Sequence, residues 1–118
     1  MTVDVLQYVR KDGTIPFEEW FDSLDPGAAA KVTGAMVRLG QGNFSAVKGV
    51  GSGVFEYRID AGPGYRIYFG KDGAALVVLL AGGPKRRQDR DIANAHARWT
   101  DYKLRKKTEA DHGADQDI

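Results

Sequence analysis

The stretch from Phe55 to Phe69, "FEYRIDAGPGYRIYF", constrains the fold more than any other part of the chain. Apolar and polar residues alternate on both sides of "DAGPG", which is typical of two half-buried strands joined by a tight turn. Pairing the strands across this loop places Arg58 opposite Arg66 and gathers the apolar side chains on the other face. Like charges directly opposed across two strands destabilise a sheet, so the arginine pair requires an explanation.

Two explanations of the arginine pair remain open at this point. The two side chains can splay into water or pair with Glu56 and Asp60, and exposed ion pairs of this kind contribute little to stability. Alternatively, the pair binds an anion, and phosphate is the anion that best fits the planar fork of arginine. On the second interpretation both arginines lie on an exposed face of the sheet.

The composition of the chain narrows the classes of protein to consider. A chain of 118 residues is long enough for one domain with its own core. The absence of cysteine excludes disulfides, thiolate nucleophiles and cysteine-based metal sites, and is typical of a reducing compartment. No apolar segment approaches the roughly 20 residues of a membrane span. We therefore expect a soluble cytoplasmic protein without a membrane partner.

Charge is distributed unevenly along the C-terminal third. Basic residues dominate the charge from Lys85 to Lys107, whereas the charge of the following residues comes from Glu109, Asp111, Asp115 and Asp117. A basic segment suggests a nucleic-acid partner, although such a run is often only the solvated face of a helix. We predict one domain over residues 1–107 and a disordered acidic tail over residues 108–118.

The remaining patterns predict a mixed α/β (α+β) domain. "TVDVLQYV" alternates as a first strand does, "IPFEEWFDSL" has an amphipathic helical stripe, and Asp25 with Pro26 begins a second helix. A glycine-rich connection leads to the hairpin, and "AALVVLLAGG" reads as a strand buried on both faces. The last helix carries an apolar stripe at Ile92, Ala95, Trp99 and Tyr102. The predicted order is strand, helix, helix, three-stranded antiparallel meander and helix, with the helices packed on one curved sheet.

The region from Gly42 to Ala95 resembles the addiction-module killer proteins, the HigB-like branch of the RelE/ParE superfamily of bacterial toxins. The resemblance extends over roughly residues 3–100 and rests on two motifs. The first runs from Lys48 through "GVFEYRIDAGPGYRIYF", and the second is "LLAGGPKRRQDRDIANA". It implies a small domain with helices on an antiparallel sheet. It also implies an mRNA endoribonuclease that acts on the translating ribosome and is neutralised by an antitoxin, usually a HigA-like helix-turn-helix protein.

Within this resemblance we assign a catalytic group of four cations. Metal-free RNA cleavage uses the neighbouring 2′-hydroxyl as nucleophile, so the protein must move protons and stabilise charge on the phosphate. Arg58 and Arg66 would hold the phosphate, with Lys48 at the entry to the sheet and Lys85 just past the buried strand. Either lysine could serve as the base if the neighbouring arginines favour its neutral form. No cofactor and no metal is expected.

Other residues receive weaker assignments. Tyr68, Arg86, Arg87 and Arg90 are candidates for RNA contacts, by stacking for the tyrosine and by phosphate pairing for the arginines. Glu56 is a candidate for orienting an arginine or for acid–base chemistry, with orientation the stronger interpretation. His96 is a candidate acid–base group, although its place on the packing side of the last helix favours a structural role.

Two functions from other classes remain as alternatives. ParE-like relatives inhibit DNA gyrase by binding it, without catalysis. An inactive relative could serve as a binding partner or co-repressor. The clustering of Lys48, Arg58, Arg66 and Lys85 favours the nuclease.

Overall fold

A computed structural model describes the backbone of residues 2–116 and the side chains of residues 2–109. Its elements follow the predicted order with one additional strand. They are β1 (Asp4–Gln7), α1 (Pro16–Asp22), α2 (Pro26–Gly40), β2 (Val47–Gly49), β3 (Val54–Ile59), β4 (Tyr65–Lys71), β5 (Leu76–Pro84), a 3₁₀ turn (Lys85–Arg87) and α3 (Gln88–Gln116). The chain is therefore a mixed α+β domain with three helices and one sheet.

The five strands form one mixed sheet in the order β1-β5-β4-β3-β2. The meander β3-β4-β5 is antiparallel as predicted, but β1 runs parallel to β5, so the expectation of an antiparallel sheet is wrong at this edge. Parallel neighbours need a long crossover connection, and the segment from α1 through β4 provides it. The short strand β2 lies in the connection that we expected to be irregular, and it pairs with β3.

The hairpin register is the one that the sequence predicts. Arg58 is directly opposite Arg66, and Phe55 is opposite Phe69. A β-bulge between Tyr68 and Phe69 shifts the pairing of β4 with β5. In β5, the five consecutive residues from Val77 to Ala81 are all buried, which confirms that this strand is covered on both faces.

Helices cover both faces of the sheet. One core cluster lies under α1 and α2 and includes Phe17, Val32, Leu39 and Ile67. A second cluster lies under α3 and includes Tyr68, Leu80, Ala95 and Trp99. Because α3 packs on the face that carries Arg66, that face is not an open surface, and the prediction that both arginines are exposed is wrong for Arg66.

The helix boundaries follow their sequence signals. Asp25 accepts a hydrogen bond from the Ala28 amide at 2.9 Å and begins α2, with Pro26 in the first turn. The α3 backbone continues to Gln116, whereas residues 117–118 lie outside the described residues. The prediction of a separate disordered tail over residues 108–118 stays a prediction. Within the described part of the chain, no helix combines the length and the apolar character needed to cross a membrane.

Gly70 lets α3 approach the sheet closely. A Cβ at this position would overlap the ring of Trp99, which is 5% exposed. We expect Gly70→Ala to lower the free energy of unfolding by about 1–3 kcal/mol because a buried ring must move. Urea unfolding followed by circular dichroism would measure the change.

Gly34→Ala is the matched control for this substitution. A Cβ at Gly34 would meet only the flexible end of Arg38, at 3.6 Å. Since alanine is the better helix former, this variant should equal the wild type or exceed it by up to about 1 kcal/mol. A Gly70→Ala protein as stable as the wild type would contradict the described packing of Trp99.

Candidate functional site

The turn between β3 and β4 forms one wall of a surface pocket of about 300 Å³. Gly62 and Gly64 adopt positive φ values of 54° and 76°, and the Gly64 amide donates to the Ala61 carbonyl at 2.9 Å. Glycine is suited to such a turn because it has no Cβ to clash in the left-handed region. The pocket, called the turn pocket below, is lined by Arg58, Asp60, Ala61, Gly62, Pro63, Gly64, Arg66 and Lys85.

A backbone contact brings Lys85 to the turn pocket. The Lys85 amide donates to the Gly64 carbonyl at 2.9 Å, which ties the end of β5 to the β3–β4 turn. A Cβ on Gly64 would lie 3.6 Å from the Lys85 Cβ. Three of the four predicted catalytic residues, Arg58, Arg66 and Lys85, are therefore brought together by the fold.

The two opposed arginines have different environments. Arg58 is exposed, whereas the Arg66 side chain is 5% exposed. The Arg66 Nε lies 3.8 Å from the Glu56 Oε1, and an Arg66 terminal nitrogen donates to the Tyr65 carbonyl at 3.3 Å. Among the described residues no carboxylate forms a salt bridge with Arg58 or Lys85. The pocket thus combines one fixed guanidinium with two cations that form no salt bridge, and Asp60 is the one carboxylate among its lining residues.

Glu56 holds Arg66 in place. Its side chain is 1% exposed, and the Lys48 Nζ lies 3.6 Å from the same Oε1 that contacts Arg66. A buried charge is costly unless it is paired, so each of these two charges offsets part of the cost of burying the other. The Arg66 Nε and the Glu56 Oε2 make no hydrogen bond with the described residues, so the contact is an ion pair without a direct hydrogen bond. Lys48, on the exposed side of this ion pair, contacts Glu56 and does not line the turn pocket. This geometry gives Glu56 a positioning role rather than direct access to the pocket.

Tyr68 lies in the same buried region. Its side chain is completely buried opposite Glu56, and its hydroxyl makes no hydrogen bond with the described residues. Burial raises the pKa of the Tyr68 phenol, and the nearby Glu56 and Asp91 carboxylates raise that pKa further. A ring in this position has no surface on which a base could stack, so the predicted RNA contact by Tyr68 is not supported.

The predicted RNA-contacting arginines occupy different surfaces. Arg86 is exposed beside Lys85, and both line a depression of about 450 Å³ next to the β3–β4 turn. The Arg87 Nε lies 3.2 Å from the Asp91 Oδ1, and a terminal nitrogen of Arg87 donates to the Gly82 carbonyl at 3.4 Å, near the edge of the C-terminal part of β5. Arg90 lines a third pocket of about 300 Å³ along that edge.

Sequence reasoning missed two arginines of this third pocket. Arg10 and Arg98 also line it, and Arg98 donates to the Leu80 carbonyl at 2.9 Å. Burial lowers the pKa of the Arg98 guanidinium, and the nearby Arg10 charge adds to this effect. The spacing of Arg90, Asn94 and Arg98 places them on one helical face, which is a signal that could have identified Arg98. Arg10 has no comparable signal because only the tertiary fold brings it to α3.

His96 lies away from the turn pocket. Its Nε2 is 3.0 Å from the Val50 carbonyl oxygen, in the turn between β2 and β3. This contact fits the structural role that the sequence favoured for His96. In the part of the chain that the structure describes, no group of three His, Cys, Asp or Glu side chains could hold a metal ion.

The fold and the turn pocket define a small α+β domain with a basic surface site. No protein-family model matches the chain. A protein of Haemophilus influenzae, described as an uncharacterized protein, is 45% identical over 83 residues, which cover 70% of this chain and 84% of that protein. The chain belongs to the same family as this protein.

Removing the charge of Glu56 should lower the stability of the protein, because Arg66 is buried beside it. We expect Glu56→Gln to lower the free energy of unfolding by about 3 kcal/mol, because a buried guanidinium loses its carboxylate. Chemical denaturation at neutral pH would measure the loss. Glu19→Gln is the control, since the Arg10–Glu19 pair is exposed and should contribute less than about 1 kcal/mol. Equal effects of the two substitutions would contradict the assigned role of Glu56.

Replacing Tyr68 by phenylalanine should not destabilise the protein. The hydroxyl is buried without a hydrogen bond from the described residues, so we expect Tyr68→Phe to gain about 1 kcal/mol at neutral pH. Because the folded-state pKa of Tyr68 is raised, its titration leaves stability unchanged below pH ~10 and lowers it above that pH, where the phenol ionises more readily in the unfolded chain. Stability should therefore fall less steeply above pH ~10 in the variant. A loss of stability at neutral pH would show that the hydroxyl is bonded.

Proposed function

We propose that the chain is the toxin of a type II toxin–antitoxin system and cleaves mRNA on the ribosome without a metal ion. The proposal includes a RelE/ParE-like fold of the HigB-like branch and a cytoplasmic location. It is supported by the motifs that surround the hairpin and by an element order like the one the resemblance implies. The H. influenzae relative adds no activity to this inference, because its description gives none.

The observation that carries the proposal is the convergence of three cations on the turn pocket. Arg58, Arg66 and Lys85 line a cavity of about 300 Å³ beside the turn. Fixed positive groups aimed at a phosphate stabilise the negative charge that develops when a 2′-hydroxyl attacks it. An anion would also relieve the repulsion between the two opposed arginines, which have only Glu56 as a described salt-bridge partner.

The environments of these residues suggest a division of roles. Arg66, fixed by Glu56 and by the Tyr65 carbonyl, provides a rigid donor for a phosphate oxygen. Arg58 and Lys85 are exposed and contact the reacting phosphate from the solvent side. Lys48 acts through Glu56, since it lies beside that carboxylate rather than in the pocket. Arg86, next to Lys85, extends the basic surface to a neighbouring phosphate.

The same proposal includes a protein inhibitor. A nuclease that cleaves cellular messages requires one, and the resemblance implies a HigA-like helix-turn-helix antitoxin. The other proposed partner is mRNA on the ribosome.

Arg58→Ala is the most direct test, because Arg58 is exposed and its removal leaves the buried Glu56–Arg66 pair intact. We expect the cleavage rate to fall about 10²–10³-fold, as for the loss of one donor to a developing oxyanion. Induced expression would be followed by growth and by mapping new 5′ ends in cellular messages. Purified protein would then be tested on ribosomes engaged with one message.

Arg38→Ala is the matched control. Arg38 is an exposed arginine in the last turn of α2, and its replacement should leave cleavage unchanged. Arrest of growth with intact messages would refute the nuclease and direct the work to gyrase. Cleavage that persists in Arg58→Ala would remove Arg58 from the site.

A further inference from the structure

A second basic pocket lies at the other end of the strands that carry the turn pocket. Its volume is about 380 Å³, and we call it the lysine pocket; it is lined by Lys71, Asp72, Trp99, Tyr102, Lys103, Lys106 and Lys107. Along β4, Gly70 beside Trp99 is four residues from Arg66. This separation corresponds to roughly 13 Å of strand. The lysine pocket is therefore a distinct surface.

The lysine pocket carries uncompensated positive charge. Its carboxylate, Asp72, is already bound by Lys106 and accepts a hydrogen bond from the Tyr102 hydroxyl at 3.0 Å. These contacts hold the pKa of the Asp72 carboxyl below its ordinary value, with the Lys106 hydrogen bond as the largest cause. Among the described residues no carboxylate forms a salt bridge with Lys103 or Lys107. The Lys71 Nζ lies 4.1 Å from the Phe44 ring centroid and 4.8 Å from the Phe55 ring centroid, so its charge is directed away from Trp99. A ligand for this pocket must therefore carry negative charge.

Aromatic rings form the floor of the lysine pocket. Trp99 and Tyr102 are stacked with ring centroids 5.2 Å apart and an interplanar angle of 7°. The Trp99 ring also lies against the backbone of Gly70, and the residue is only 5% exposed. The Lys103 Nζ is 5.7 Å from the Trp99 ring centroid. The floor thus offers ring edges and lysine methylenes, which suit an aliphatic side chain.

These features favour a peptide over a nucleic acid. Bases bind proteins without sequence preference by stacking on accessible aromatic faces, and the buried Trp99 ring offers none. The cations here are all lysines, which are point charges without the planar fork that arginine presents to phosphate. Carboxylates spaced along a peptide can pair with several separate lysines while one apolar side chain contacts the floor.

We propose that the lysine pocket binds an acidic peptide segment of a partner protein, anchored by one aliphatic side chain against the half-buried Tyr102 and the neighbouring lysine methylenes. The flanking carboxylates of the segment pair with Lys103 and Lys107, whereas the Lys71 ammonium lies over the Phe44 ring and takes no part. This assignment is independent of whether the chain cleaves RNA, because it rests on residues outside the turn pocket.

The test uses the full chain and fluorescein-labelled synthetic peptides of about 12 residues. One peptide has glutamates flanking a central leucine, and a second has serine in place of that leucine. Fluorescence anisotropy at physiological salt should show saturable binding of the leucine peptide. The serine peptide should bind about 10-fold more weakly, since a leucine side chain loses its apolar contact.

A double charge reversal tests the location. The double variant Lys103→Glu with Lys107→Glu should bind the leucine peptide at least about 10-fold more weakly, because attraction becomes repulsion at two contacts. Lys31→Glu with Arg38→Glu makes the same change in net charge on the exposed side of α2 and should alter the affinity less than about twofold. Circular dichroism would verify that both variants are folded.

Several results would overturn the proposal. It fails if the leucine peptide does not bind, if the serine peptide binds equally, or if both double variants behave alike. It also fails if a 12-nucleotide single-stranded RNA displaces the peptide and itself loses affinity in Lys103→Glu with Lys107→Glu, since RNA is then the occupant. RNA cleavage by that variant should equal the wild type, so the peptide site and the nuclease can fail separately.

Discussion

The ion pair between Glu56 and Arg66 is the interaction on which the candidate site depends. Both side chains are at least 95% buried on the sheet face that α3 covers, and their charged atoms lie 3.8 Å apart. Without the carboxylate, the buried guanidinium would have to be solvated or withdrawn, and its position beside the turn would be lost. The pair therefore fixes one cation, and the exposed Arg58 and Lys85 complete the pocket around it.

Packing on both faces of the sheet depends on residues without side chains. A Cβ on Gly70 would overlap Trp99, one on Gly82 would overlap Trp20, and one on Gly83 would overlap Asp91. Trp20 belongs to α1 and Trp99 to α3, so these glycines let helices approach from opposite sides. This close approach buries β5, and the 3₁₀ turn that follows β5 brings Lys85 to the turn pocket.

The two basic surfaces differ in chemistry and in place. The turn pocket carries two arginines and a lysine around a glycine-rich turn, whereas the lysine pocket has lysines around a stacked aromatic pair. They lie at opposite ends of β3 and β4, so one rigid sheet separates them. A domain of this size can therefore present one surface for phosphate and another for an acidic partner segment without overlap.

The sequence by itself determined the local structure of this protein. Period-two alternation gave the hairpin and its register, and the apolar run of β5 gave a strand buried on both faces. It also identified Arg58, Arg66 and Lys85, since motif and alternation place them near one turn. Only the tertiary structure decided which arginine is buried, that β1 runs parallel to β5, and that the Tyr68 side chain is completely buried. It also decided that Lys48 contacts Glu56 rather than the pocket. The burial of Arg66 and Tyr68 depends on α3 covering one sheet face, whereas the other two features depend on which strands pair. Local periodicity cannot encode either, because it does not specify which elements become neighbours.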